Sequence, residues 1–131
     1  MRMSVFLCLL ATVAAVSADA ESTNAASGYE KAGQCLKSVI RANLYEKLLI
    51  SMGKVPADSS NEKVYEAWQS TFSSIVRWEG KRLGKSDAEM MADIRAMSDD
   101  LKEQAVGSSS NVLISSYKQA IDEANNCRNL Y

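Results

Sequence analysis

Few side chains in this sequence could carry chemistry, and their types limit what it would be. The 131 residues include no histidine, so the commonest general base and metal ligand are missing. Three cysteines occur, Cys8, Cys35 and Cys127. Cys8 falls in an apolar N-terminal run, and the other two bracket most of the remaining chain. An even pair in a chain bound for an oxidising compartment reads as one disulfide, Cys35–Cys127, and leaves no thiolate nucleophile. The serines gather in short polar stretches, and no G-x-S-x-G elbow surrounds any of them. Asp99, Asp100 and Glu103 form an acidic group. Carboxylates four apart on a helix could hold a cation weakly, but such a group reads first as a solvated face. No metal, cofactor or enzymatic activity is expected.

A basic cluster is more suggestive. Arg77, Lys81 and Lys85 recur every four residues, with Arg82 and Trp78 among them. On one helix face these cations would suit an acidic partner, a glycan or an anionic headgroup. They make Arg77, Trp78, Lys81, Arg82 and Lys85 the candidate surface contact. A second candidate is internal. Trp68, Phe72, Ile94 and Met97 are large apolar residues that could line a cavity for a small hydrophobic ligand.

These residues need elements to hold them, and every element in the sequence has helical period. From Ala32 to Met52, the apolar positions Leu36, Val39, Ile40, Leu44, Leu48 and Met52 share one stripe, with Tyr45 and Leu49 on a second. Gly53 and then Pro56 end that helix. A loop at Lys54–Ser60 follows, and Ser59 with Glu62 has the spacing of a capping box. The next helix is expected to bury Val64, Trp68, Thr71, Ile75 and Trp78, with Phe72 beside them. Gly80–Gly84 should bend or break it. Ser86 and Glu89 form a second capping box. They open a third helix with Met90, Ile94, Met97, Leu101 and Ala105 on one face, ending at Gly107. The fourth, capped by Asn111 or a neighbouring serine, aligns Leu113, Tyr117, Ala120, Ala124 and Cys127, with Ile114 and Ile121 at the flanks. Alternating β patterns are missing.

The N-terminus reads as an export signal. Arg2 precedes the short apolar run Ser4–Val16, and small residues allow cleavage after Ala18 or Ala20. The run is shorter than the roughly 20 residues a membrane span needs. Cleavage at Ala18 removes one base and no acid, moving the formal charge from −1 to −2. So weak a charge gives no long-range pull toward nucleic acid.

Residues 1–18 are therefore expected to be a signal peptide, 19–27 a flexible lead, and 28–131 an all-α domain. The expected architecture is a small up-down four-helix bundle closed by Cys35–Cys127. In that topology the start of the first helix and the end of the fourth lie at one end, where a disulfide can join them. The function expected is that of a secreted, extracellular, non-enzymatic interaction protein, such as an inhibitor, effector or defence factor, acting through its surface. The alternative is an extracellular carrier of a small hydrophobic ligand. Neither nucleic acid nor a membrane span is expected.

Overall fold

Helix boundaries follow the glycines and serines closely. The computed structural model describes the packing of residues 27–131. The signal segment, its two cleavage positions and all of the lead but Ser27 lie outside the described residues. The chain order is α1 (Arg2–Ser51, described from Ser27 onward), a 3-10 turn (Ala57–Ser59), α2 (Glu62–Arg82), α3 (Asp87–Val106) and α4 (Ser110–Leu130). There are no strands among the described residues.

Two glycines end helices in the same way. Gly53 and Gly84 take φ of +71° and +76°, the left-handed region that side chains resist. Past each, the chain closes back on the helix. Lys54 N–H donates to Leu49 C=O at 2.9 Å, and Lys85 N–H to Gly80 C=O, also at 2.9 Å. The break between α2 and α3 therefore falls at Gly84, and Gly80 stays inside α2. Gly80 is buried, and a Cβ there would overlap Met90 and press on the Tyr29 ring. It is a packing residue, where α3 and α1 approach the backbone of α2.

The two predicted capping boxes fare differently. Ser86 and Glu89 form theirs in full: Glu89 N–H donates to Ser86 Oγ at 3.1 Å, and Ser86 N–H to the Glu89 carboxylate at 3.4 Å. Ser59 does not cap α2, because its hydroxyl is drawn into the 3-10 turn, donating to Pro56 C=O at 2.7 Å. Ser109 caps α4 through Val112 N–H.

The four helices form an up-down bundle with α1 at its centre. The described part of α1 packs on α2 and α4, whereas α3 touches α1 and α2 only lightly. The main core joins Ala32, Leu36, Val39 and Ala42 of α1 to Phe72 and Val76 of α2 and to Ala120 and Ala124 of α4. The small residues of α4 let its backbone come close to α1. A second cluster at the other end holds Tyr45, Leu49, Ala105 and Leu113. Cys35 and Cys127 form the expected disulfide, with Cα atoms 5.7 Å apart across a sequence separation of 92.

The α3 and α4 faces are those the period predicts. The α2 face is not: its buried residues are Tyr65, Phe72, Val76 and Gly80, while Val64 and Trp78 are exposed. The face has turned by about one residue, because it must also carry a tyrosine hydroxyl and a glycine, which apolar counting ignores. Met52, expected on the α1 stripe, is likewise exposed.

Candidate functional site

The basic cluster is split by the end of α2. Lys85 lies beyond Gly84, and its ammonium turns inward over the Tyr29 ring, 4.8 Å from its centroid. It also pairs with Asp93 at 3.4 Å. Tyr29 donates to the same carboxylate at 2.6 Å. That hydroxyl, opposed by burial and aided by Lys85, holds Asp93 below its ordinary pKa. Burial and the Asp93 carboxylate push the Tyr29 phenol well up. Tyr29, Lys85 and Asp93 thus fasten the start of α3 to α1, and Lys85 is used in holding the fold together.

The remaining four stay on the outside of α2. Arg77, Lys81 and Arg82 are exposed, and Trp78 is 61% exposed. The Arg82 guanidinium stacks over Trp78 at 5.0 Å from the ring and also reaches Glu79 at 3.4 Å. This arrangement fixes the Trp78 ring flat against a cation while leaving most of it in water. Met91, also exposed, rises from α3 across a cleft of about 240 Å³ lined by Arg77, Lys81 and Asp87.

The four candidate ligand-lining residues do not meet around one space. Phe72 is packed into the core and touches Tyr131 edge-on at 6.4 Å. Trp68 lies between Tyr65 and Arg128, whose guanidinium is 5.3 Å above its ring. Both belong to the seam between α2 and α4. Ile94 and Met97 line an open cleft of about 500 Å³ between α1 and α3, with Val76 as part of its floor and neither Trp68 nor Phe72 among its walls.

One polar site went unnoticed in the sequence. Glu46, near the C-terminal end of α1, is only 2% exposed. Its carboxylate accepts from Tyr117 Oη at 2.5 Å and from the Asn61 backbone N–H at 2.7 Å. Tyr65 in turn hydrogen-bonds Tyr117, oxygen to oxygen at 2.9 Å. Burial alone would raise the Glu46 carboxyl. The donors Tyr117, Asn61 and Tyr65 outweigh it and hold the group below its usual value of 4.5. Burial and the neighbouring carboxylate drive Tyr117 far upward, so it stays a donor. Asn61 makes no side-chain cap at the start of α2. Glu46 instead accepts the backbone N–H of Asn61 itself, setting a negative charge beside the start of α2, where the helix dipole favours one. With α1, α2 and α4 all contributing and no buried side-chain polar atom among the described residues left without a partner, the network is a structural lock. A carboxylate four residues from Ala42 and one from Tyr45 reads as a surface residue; only the tertiary meeting with two tyrosines reveals it.

Among the described residues no grouping of acids and cysteines could hold a metal ion. Asp100 of the acidic group instead pairs with Lys37 at 3.7 Å. Nor is any described helix long and apolar enough to cross a membrane. Comparison with protein families, with characterised proteins and with solved structures finds no match to this chain.

Proposed function

We propose that this is a secreted, non-enzymatic binding module that meets an acidic protein partner through the outer edge of α2. The observation that carries the reading is Trp78. A tryptophan 61% exposed contributes little to folding, yet its ring is oriented by Arg82 and flanked by Arg77 and Lys81. Tryptophan and arginine are the residues that concentrate binding energy in protein interfaces. The scaffold supports this use. Its core is filled, its one disulfide suits an extracellular setting, and neither histidine nor a free described thiol offers catalysis.

Expression through a secretory pathway gives the first check. The exported protein should begin at Asp19 or Glu21 and carry no free thiol. The decisive experiment is cross-linking mass spectrometry in the extracellular fluid of the source organism. The expected result is a partner linked through Lys81 and lost from Trp78→Ala, with the melting temperature unchanged. A partner retained in full by Trp78→Ala and by Arg82→Ala would overturn the proposal.

A further inference from the structure

One adjacent pair of bases occurs in the 131 residues, Lys81–Arg82, and the fold sets it at the surface. The pair closes the last turn of α2. The connection to α3 follows at once: Leu83, then Gly84 with its positive φ, then Lys85 and Ser86. Both bases are exposed, and no residue from Lys81 to Glu89 is buried.

Only end-of-helix contacts hold this corner closed. Gly84 N–H donates to Lys81 C=O at 3.0 Å, and Leu83 and Lys85 close on Gly80. The Arg82 side chain lies on Trp78 and reaches Glu79 at the surface. Contacts of this kind open locally while the rest of the fold stays intact. Gly84 has no side chain to resist leaving the left-handed region for the extended backbone that a protease cleft takes. Lys85, on Tyr29 and Asp93, is the first tertiary anchor downstream. Exposed connections between helices are where folded chains are nicked.

The disulfide gives a cut here a definite product. Cys35 precedes the basic pair and Cys127 follows it, so the two halves stay joined by sulfur. Packing holds them as well. Phe72 and Val76 keep α2 in the core on α1, and Ala120 and Ala124 keep α4 there. The start of α3 stays fastened by Tyr29 to Asp93 and by Met90 against Gly80.

We infer that Lys81–Arg82 is a processing site for a dibasic-specific endoprotease of the secretory route, and that the mature protein is a two-chain molecule joined through Cys35–Cys127. Water is the second reactant. The Arg82–Leu83 peptide bond breaks, the hydroxyl of water joins the Arg82 carbonyl carbon, and its other hydrogen joins the Leu83 nitrogen. Proton transfer then leaves a carboxylate and an ammonium, with no change of oxidation state. This goes beyond partner binding, and it rests on the secretory reading that the proposed function also uses.

Digestion of the disulfide-bonded protein with a Lys-Arg-specific endoprotease of the subtilisin type tests the site. One cut is expected, after Arg82. The product should run as a single species without reductant, heavier than the uncut chain by one water, and as two fragments with reductant. Lys81→Gln keeps Arg82 but removes the pair, and should slow the cut at least tenfold at an unchanged melting temperature. Protein isolated from the extracellular fluid of the source organism should already be in the two-chain form. Resistance of the Arg82–Leu83 bond, or cutting of Lys81→Gln at the wild-type rate, would overturn the inference. So would an exported chain that begins at Asp19 or Glu21 yet runs unbroken through Arg82–Leu83, and that result would leave the secretory reading standing. A chain that still carries Met1 would overturn both. Cleavage is read with no partner present, so failure here is distinct from failure of the contact at Trp78.

Discussion

At the scale of single residues, Glu46 shows how a charged group can be held in a core without an opposite charge. Neutral donors from α2 and α4 surround it, and among the described residues no buried side-chain polar atom is left without a partner. The consequence for pH has a definite sign. A carboxyl whose pKa is lower folded than unfolded contributes stability above its ordinary value of 4.5 and loses it as pH falls through the folded value. Tyr117→Phe removes the shortest bond to Glu46 and should cost about 1.5–3 kcal/mol at neutral pH, as expected for a hydrogen bond to a charged group. Urea unfolding at pH 7 and again below pH 4 checks this. The gap between wild type and variant should narrow in acid, where a protonated Glu46 no longer draws on the donor. A gap that is unchanged with pH would show that Tyr117 acts by packing alone.

Helices were more legible than their orientations. Gly53, Gly107 and the Ser86–Glu89 box mark their ends by local chemistry, and the structure places all three as expected. α3 and α4 were readable too, since each packs mainly one stripe. α2 was not, because the deciding contacts are tertiary. Tyr65 is drawn inward by Glu46 and Tyr117, and Gly80 by Met90, which leaves Val64 and Trp78 outside. The candidate contact residues were legible as a cluster, but Lys85 was lost to Tyr29 and Asp93 across a turn that spacing alone could not place. Gly80 supplies the test at this scale. In an ordinary helix interior, glycine to alanine gains about 0.5–1 kcal/mol. Here the added methyl meets Met90 and Tyr29, so Gly80→Ala should instead destabilise by about 1–3 kcal/mol, as overpacking does. Denaturant unfolding gives the sign, and the doubly substituted Gly80→Ala, Met90→Ala should lose less than the two single changes summed. Additive losses would mean that the approach of α3 to α2 is not what the glycine serves.

The molecule as a whole is asymmetric. Three helices, α1, α2 and α4, share the main core, and the fourth leans on them, leaving the proposed contact on the outer edge of α2 beside it. The disulfide strengthens the filled part. It joins α1 to the last turn of α4, far in sequence and near in space, and spares α3. In the chain-entropy picture, a link spanning 92 residues restricts the unfolded chain by an amount equivalent to about 4–5 kcal/mol. That is a large part of the stability of a domain this size, typically about 5–15 kcal/mol. Replacing both cysteines with alanine should therefore lower the urea midpoint sharply. The dependence on urea should steepen slightly, because the unlinked chain exposes more surface when unfolded. Helix content in water should change little, since Ala120, Ala124 and Leu113 still bury α4 against α1. Hydrogen exchange should accelerate first in the last turns of α4, now released from Cys35, and only afterwards in α1. If the midpoint does not move, the helix faces alone determine the stability, and the clamp between the two ends of the bundle adds nothing to it.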